Sequence, residues 1–309
     1  MLAAIAHGEY AFQQDVTTRP LDRIVVGVDF SEVSLAAAQW VGRHLARDAA
    51  LTLVHVIEPP PLPNVLRLRS APMPDPETRL RARIESLRGA LHGLSGVVGV
   101  TDSRVEVRVG DPAVQLAAYA DLVEADLIVV GGNAVSRAAP RHETATTDRL
   151  LRHLARPALV ARNAQAAPTT VLAALADDVA APVLTVARMV AAPCAARVAA
   201  LRLADTAPVG SLERREHLLR ETSILVKTPD AVVKRGQVRM IIDVARKLRA
   251  DVIVIGSHVS ATEDDDQAAH MLARTANCSV LVVPHATEPR PRRPLHLDVT
   301  MTHLDAATT

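Results

Sequence analysis

The sequence predicts an α/β protein made of two repeated units, each an open five-stranded parallel sheet with flanking helices. Ala125–Asn133 reads Ala-Asp-Leu-Ile-Val-Val-Gly-Gly-Asn, and Ala250–His258, 125 residues later, reads Ala-Asp-Val-Ile-Val-Ile-Gly-Ser-His. Each copy is a continuous apolar run ending on glycine, which is typical of a strand buried on both faces. The spacing before each copy also repeats, because Gly110 and Gly236 precede the shared aspartate by 16 and 15 residues.

Length and composition favour a globular protein and exclude several classes of function. The 309 residues suit two domains, and 49% hydrophobic and 22% charged residues are ordinary for globular proteins. A net charge of +1 gives no reason to expect nucleic acid or an acidic membrane as a partner. Cys194 and Cys278 cannot form a disulfide framework or a zinc site by themselves. Residues 1–20 do not read as a signal peptide, and Val179–Ala196 carries Arg188 at its centre, so a cytoplasmic protein without membrane spans is expected.

The first unit, residues 21–163, is predicted to contain five strands, each a short apolar run bounded by turn residues. They are Asp22–Asp29, Leu51–Ile57, Arg104–Val109, the repeated segment and Ala158–Ala161. Ser31 is a suitable N-cap for the helix after the first strand. Further helices are predicted at Glu77–Leu94, Pro112–Glu124 and Thr146–Leu154, with a long loop at Asn133–Glu143. Strands that alternate with helices indicate parallel pairing through right-handed crossovers.

After a linker at residues 164–169 the pattern restarts in a second unit, residues 170–285. Its strands are predicted at Thr170–Leu175, Arg197–Leu203, Ser223–Val226, Asp251–Ile255 and Ser279–Val283. Its helices are predicted at Val179–Ala192, Leu212–Glu221, Gln237–Arg249 and Ala268–Thr275. Residues 1–20 and 286–309 lack a sustained period and are predicted to form a flexible arm and a flexible tail.

With these segments identified, the chain resembles the universal stress protein family in its tandem two-domain form. The motifs that carry the resemblance in the first unit are Ile24–Ser31, His55–Pro59, Val109–Pro112, Ala125–Gly131 and Asp148–Val160. In the second unit they are Arg235-Gly236, Ala250–His258 and Ala276–Val283. Each motif alone is a strand with a turn, but their joint order and spacing, found twice, is more specific.

The resemblance implies a Rossmann-like fold of the adenine nucleotide α-hydrolase type. It also implies that the two units pair through their last strands as an intramolecular pseudo-dimer. Some members of the family bind ATP past the strand ends through the first-strand aspartate and a loop of form G-x2-G-x9-G-(S/T). Carried over to this chain, the resemblance implies a candidate adenine-nucleotide site in the first unit. Its residues would be Asp29, Val56, Gly131, Gly132, Asn133 and Thr144.

Both copies of the nucleotide loop depart from this family pattern. In the first unit Ala134 and Thr144 stand at the second and third glycine positions, and Ala145 stands where a hydroxyl is expected. A β-branched residue such as threonine resists the positive φ that glycine supplies. In the second unit Ala176 replaces the first-strand aspartate, and Ala261–Gln267 would place a cluster of carboxylates near the phosphates. Like charges about 4 Å apart repel by ~1 kcal/mol even in water, so triphosphate binding is not expected there.

Each candidate residue also has a purely structural interpretation. Asp29 could cap the following helix instead of contacting a ribose, and Gly131-Gly132-Asn133 could be a plain turn after a strand. His55 is interpreted as a packed or surface histidine rather than a catalytic one. Asp264–Asp266 is interpreted as a solvated charge run rather than a cation site.

The sequence contains no nucleophile elbow, no Walker loop and no local pair of acid and base, so enzymatic chemistry is not indicated. The first hypothesis is a non-enzymatic stress-response or regulatory protein that acts through protein partners or a weakly held ligand, with both ATP loops eroded. The alternative is a nucleotide-binding switch or slow ATPase that uses only the first unit. In that case ATP or another adenine nucleotide would be the ligand. A metal site is not predicted, and further association into a homodimer stays open.

Overall fold

The structure, a computed structural model, describes residues 20–59, 75–99, 103–132, 141–152, 154–175, 180–202, 225–227, 234–257 and 267–284. Several features predicted from the sequence lie outside the described residues. These are the terminal arm and tail, Asn133 and most of the loop that follows it, Ala176, the helix Leu212–Glu221, His258 and the acidic cluster Asp264–Asp266. Across the part that is described, no helix combines the length and apolar character needed to cross a membrane.

Strands and helices alternate along the described chain, as predicted. The strands are β1 (Arg23–Gly27), β2 (Ala50–Ile57), β3 (Arg104–Val109), β4 (Leu127–Gly131), β5 (Ala158–Ala161), β6 (Thr170–Leu175), β7 (Arg197–Arg202), β8 (Leu225–Lys227), β9 (Val252–Ser257) and β10 (Ser279–Pro284). The helices are α1 (Glu32–His44), α2 (Pro76–Val98), α3 (Pro112–Leu122), α4 (Arg141–Arg152), α5 (Ala180–Ala191), α6 (Lys234–Leu248) and α7 (Gln267–Thr275). A short 3-10 turn, Ala192–Cys194, follows α5.

Local chemistry accounts for where the first helices begin. The Ser31 hydroxyl accepts a hydrogen bond from the Ser34 amide at 3.3 Å, which confirms Ser31 as the N-cap of α1. Asp75 and Asp111 cap α2 and α3 in the same way, each followed by a proline at the first helical position. Helix α4 begins at Arg141, so the prediction of a loop to Glu143 and a helix from Thr146 was wrong at this boundary. The run of threonines there has low helix propensity, which concealed the first turn.

Among the described residues, one sheet contains ten strands in the order β3-β2-β1-β4-β5-β10-β9-β6-β7-β8. Each unit contributes five strands that pair in parallel, and the strand order of the second unit mirrors that of the first. The last strands of the two units, β5 and β10, pair antiparallel, with Leu159 opposite Leu281. The predicted pairing through the last strands is therefore confirmed, and it joins the two five-stranded sheets edge to edge into one continuous sheet.

Two buried side chains strengthen the junction between the units. Arg162, which follows β5, donates from its guanidinium to the carbonyl oxygens of Ala273 and Ala276 at the end of α7, the latter at 3.1 Å. Asp148 of α4 is buried and accepts hydrogen bonds from the guanidinium of Arg274, with Nε at 3.1 Å from Oδ1. Both interactions cross from one unit to the other, so the antiparallel strand pair is not the sole connection.

A hydrophobic core covers each face of the sheet, and each core spans both units. Alternate residues of a strand point to opposite faces, so Val26 and Val254 enter one core while Val25 and Ile253 enter the other. Helices α1, α2 and α5 cover the first face, and helices α3, α4, α6 and α7 cover the second. The continuous apolar runs in the sequence are explained by this burial on both sides.

The aspartate of the repeated segment has the same structural role in both units. Asp126 Oδ2 accepts hydrogen bonds from the amides of Asp22 and Arg23 at 2.8 and 3.0 Å. Asp251 Oδ2 accepts from the amides of Thr169 and Thr170 at 2.7 and 3.0 Å. Each carboxylate therefore fixes the start of the first strand of its own unit. This equivalence supports an internal duplication at the level of single atoms.

Candidate functional site

The candidate site lies at the carboxyl edge of the first unit, between β1 and β4. The strand order runs outward from β1 through β2 to β3 on one side and from β4 to β5 on the other. The connections therefore reverse direction between β1 and β4, and ligands of open α/β sheets bind in the crevice at such a switch point. Asp29 follows β1 and Gly131 ends β4, so the fold brings these two predicted residues to the same crevice.

Asp29 is exposed and forms a tight turn with the start of α1. Its Oδ1 accepts hydrogen bonds from the Ser31 amide at 2.9 Å and from the Ser31 hydroxyl at 2.6 Å. Partial desolvation acts to raise the pKa of Asp29, but the hydrogen bonds from the Ser31 and Ser34 side chains and the Ser31 amide outweigh it and lower the pKa. The carboxylate is therefore ionised at neutral pH, and one oxygen is already engaged in organising the helix start.

Phe30, which lies between Asp29 and Ser31, adopts a left-handed backbone conformation with φ of 63°. Its ring packs on His55 with a centroid separation of 5.0 Å, and the Nδ1 of His55 lies 2.7 Å from the carbonyl oxygen of Val28. With Nδ1 donating to that carbonyl, the histidine holds β2 against the end of β1. The interpretation of His55 as a packed residue agrees with this geometry.

The two glycines that end β4 are required by packing. A Cβ atom on Gly131 would lie 2.8 Å from the backbone of Val33 and Ser34, because the first turn of α1 passes directly over the strand end. A Cβ atom on Gly132 would lie 2.4 Å from the side chain of Val160 on the neighbouring strand. No larger residue fits at either position without a shift of the surroundings. The structural interpretation of the Gly-Gly turn therefore has a direct steric basis.

The other predicted residues fall into two groups. Val56 lies near the end of β2, opposite Arg108 of β3, and packs partly buried against the core on the α3 face. Thr144 lies within the first turns of α4, and its side chain is outside the described part of the structure. Asn133 also lies outside it. The structure therefore brings Asp29, Gly131 and Gly132 together and leaves the remainder of the predicted loop untested.

A charged cluster at the same edge of the sheet was not predicted as a site feature. Arg149 of α4 forms an ion pair with Asp111, the N-cap of α3, at 2.5 Å, and its second nitrogen lies 4.0 Å from Glu58 beyond β2. The Arg149 Nε is buried without a hydrogen-bond partner among the described residues. Asp111 also accepts hydrogen bonds from the amides of Ala113 and Val114. The cluster connects α4 to the loops after β2 and β3. Asp111 and Arg149 belong to predicted motifs, but their contact was not predicted.

Potential ligands for metals are sparse in the structure. Within the described ranges, no group of three or more histidine, cysteine, aspartate or glutamate side chains is arranged to hold a metal ion. In the second unit, the corresponding carboxyl edge between β6 and β9 is followed by residues 176–179 and 258–266, which are outside those ranges.

Comparisons with known proteins match this architecture. The sequence profile of the universal stress protein family matches residues 20–162 and, separately, residues 163–284. The chain belongs to the universal stress protein family. Because the profile matches once in each unit, the protein is a tandem member of this stress-response family. A comparison with curated proteins finds no match.

Solved structures of the universal stress protein fold support the same conclusion about architecture. A universal stress protein from Archaeoglobus fulgidus DSM 4304 is 14% identical, with a TM-score of 0.61, and the match covers 85% of this chain and 98% of that chain. A protein of unknown function from Pseudomonas aeruginosa PAO1 is 16% identical, with a TM-score of 0.54, covering 86% and 93%. A universal stress protein in complex with cAMP is 25% identical, with a TM-score of 0.35, covering 46% and 97%. The two longer matches show that the tandem fold is shared.

Proposed function

We propose that this tandem universal stress protein is a non-enzymatic regulatory protein that acts through protein partners or a weakly held ligand. The observation that carries the proposal is that the residues expected to bind a nucleotide already have structural roles in packing and in starting a helix. Gly131 and Gly132 are glycines because backbone and side-chain atoms lie within 2.8 Å of where a Cβ would be. Neither glycine therefore needs a phosphate to explain its presence.

The first-strand aspartate supports the same proposal. Oδ1 of Asp29 accepts from both the amide and the hydroxyl of Ser31, and Ser31 in turn caps α1. This network is a common way to begin a helix, and it needs no ligand. A nucleotide ribose would have to share a carboxylate that is already hydrogen-bonded, and the loop beyond it lacks the second and third glycines and the hydroxyl residue of the family pattern.

Isothermal titration calorimetry with ATP and magnesium tests this proposal. We expect no saturable heat at millimolar ATP and no nucleotide retained in native mass spectra of freshly purified protein. Tight binding that Asp29→Ala abolishes would overturn the proposal. Ser31→Ala is the matched control, because it removes the helix cap and the short hydrogen bond while leaving the Asp29 carboxylate in place.

The alternative function is a nucleotide-binding switch or slow ATPase that uses the first unit only. It is favoured by one observation: an exposed, ionised Asp29 lies at the crevice where this class of sheet binds ligands. This alternative requires saturable ATP binding that survives Ser31→Ala and is lost in Asp29→Ala. Phosphate release above background in wild-type protein, absent in Asp29→Ala, would separate an ATPase from a switch that only binds.

A further inference from the structure

A cavity of about 350 Å³ lies at the opposite edge of the sheet from the candidate nucleotide site. It is bounded by the amino ends of β9 and β10, the end of α6 and the linker between the two units. The residues that give it chemical character are Trp40, Arg162, Arg246, Arg249, Asp251 and Cys278. Its volume is at the small end of the range found for ligand pockets, about 300–1,000 Å³.

The cavity combines positive charge with an apolar wall. Three arginines line it against a single carboxylate, that of Asp251. Oδ2 of this carboxylate already accepts hydrogen bonds from the Thr169 amide and hydroxyl and from the Thr170 amide. Trp40, Ile242 and Ile253 form part of the wall. Guanidinium groups beside an apolar surface are suited to an anion carried on an apolar body.

The equivalent place in the first unit has carboxylates where the cavity has Arg246 and Arg249. The two units can be aligned residue by residue through their strand pairing. Ile128 of β4 pairs with Ala158 in the first unit, and its counterpart Ile253 of β9 pairs with Val280 in the second, so Ala158 and Val280 are equivalent positions. Arg246 and Arg249 then occupy the positions of Asp121 and Glu124, and Cys278 occupies the position of Arg156. The residue at the helix end has nearly the same backbone in both units, with φ of 52° at Glu124 and 51° at Arg249. The shared backbone means that the side chains alone differ at this position.

In the first unit these side chains are paired with each other. Arg156 donates from Nε and Nη2 to Asp121 Oδ1 at 3.3 and 3.1 Å, and Glu124 lies 3.6 Å from Arg23. In the second unit both carboxylates are replaced by arginines, and the position of Arg156 is taken by the smaller Cys278. Arg246 forms an ion pair with Asp243 of the same helix, with Nη1 3.3 Å from Oδ1, so its guanidinium is held at the edge of the cavity. Compared with the first unit, this position has a smaller side chain at Cys278, and it has Arg249 in place of Glu124, a carboxylate that pairs with Arg23.

We propose that this cavity binds a small organic anion, with a phosphate or carboxylate group held by Arg246 and Arg249 and an apolar body against Trp40. The site is independent of the candidate nucleotide crevice, because it lies at the amino ends of the strands and in the second unit. Trp40 is the single tryptophan of the chain, so its fluorescence reports on this cavity.

The test titrates phenyl phosphate and benzoate into the full-length protein and follows Trp40 fluorescence, with benzyl alcohol as the uncharged control. We expect a saturable change with at least one of the two anions and none with benzyl alcohol. Binding by phenyl phosphate alone assigns the site to phosphate monoesters, and binding by benzoate alone assigns it to carboxylates. The absence of saturation with both anions would overturn the proposal.

Three variants locate the binding. Arg249→Glu copies the first unit and is expected to weaken anion binding about tenfold or more, because charged hydrogen bonds are lost. The double change Arg246→Asp with Cys278→Arg installs the counterpart of the Asp121–Arg156 pair of the first unit, which moves the positive charge and adds bulk at Cys278, and it should abolish the signal. Arg83→Gln, on the exposed face of α2, is the matched control and should bind as wild type. Unchanged binding in the first two variants, or equal loss in Arg83→Gln, would overturn the proposal.

Discussion

The backbone of α1 passes so close to the end of β4 that the identity of residue 131 is decided by space. The Cβ that alanine would add lies 2.8 Å from backbone atoms of Val33 and Ser34, and backbone cannot rotate away as a side-chain tip can. The same crowding holds the turn after β1, and with it Asp29, in position. A residue that looks like part of a ligand loop in the sequence is thus a packing residue in the fold.

Gly131→Ala is expected to lower the free energy of unfolding by roughly 1–3 kcal/mol, the usual cost of overpacking. Gly93→Ala is the matched control, because Gly93 is exposed within α2 and its Cβ would have no neighbour within 4 Å. The control should stabilise the protein by roughly 0.5–1 kcal/mol through helix propensity. Urea denaturation measures both changes, and an equal response of the two glycines would contradict the packing argument.

The thiol of Cys278 provides a prediction about pH. Burial raises its pKa to about 11, and the charged thiolate is the disfavoured form. Because the folded-state pKa lies above that of the unfolded chain, this group's contribution to stability is complete below about pH 8.5 and is lost as the pH rises towards the folded pKa. We expect wild-type protein to lose stability more steeply than Cys278→Ala between about pH 8.5 and 10.5. Parallel curves in urea denaturation would contradict this assignment.

At the scale of elements, the paired aspartates at the strand starts are the clearest consequence of duplication. Asp126 accepts from two amides that begin β1, and Asp251 accepts from two amides and a hydroxyl that begin β6. Asp126→Ala and Asp251→Ala should each cost about 1–3 kcal/mol, since two backbone amides lose a charged acceptor in each variant. Chemical denaturation of both variants checks this. A large loss in one and none in the other would mean that the two carboxylates are not equivalent.

Most elements were predictable because their signals are local. The runs Ile24–Val28 and Val252–Ile255 are apolar without interruption, and Asp111-Pro112 marks the start of α3 with a cap and a proline. The beginning of α4 was missed because Ala139 and Pro140, which precede Arg141 in the sequence, are not typical N-cap residues, and the threonines that follow favour other conformations. The contact between Arg149 and Asp111 could not be predicted either, since it depends on how α3 and α4 pack.

At the scale of the whole molecule, the two units should unfold together. Each hydrophobic core includes residues of both units, and Trp40 of the first unit donates a hydrogen bond to the Ala166 carbonyl in the linker at 2.7 Å. Arg162 adds two charge-assisted hydrogen bonds from the first unit to the end of α7. Separate melting of the halves would break all of these contacts.

Arg162→Met is therefore expected to destabilise both units by roughly 3 kcal/mol, since a charge-assisted hydrogen bond contributes about 1.5–3 kcal/mol. Trp40 fluorescence reports on the first unit and Cys278 labelling on the second, and the two midpoints should stay coincident in urea. Asn163→Gly, which removes one neutral hydrogen bond to the Asn277 carbonyl and tolerates the φ of 48° at this position, should cost only about 1 kcal/mol. Midpoints that separate in wild-type protein would contradict a shared core.

The tandem arrangement was predictable from the repeat, but the side chains that join the units were not. The segments Ala125–Asn133 and Ala250–His258 indicate duplication without any structure. Arg162 and Asp148 are ordinary charged residues in the sequence, and their partners on α7 are more than 100 residues away. Contacts between residues so far apart in sequence depend on the order of the strands in the sheet. Local sequence patterns do not determine that order.

The antiparallel pairing of β5 with β10 has a consequence for how this chain can diversify. In a homodimer built on a two-fold axis, each substitution is made on both sides at once, so every interface residue must tolerate its own image. In this chain the position equivalent to Arg162 in the second unit is occupied by Pro284, so the second unit cannot make the same contact with the first. Because both copies lie in one chain, that constraint is absent, and one half can carry a cationic cavity while the other carries the Asp121–Arg156 ion pair.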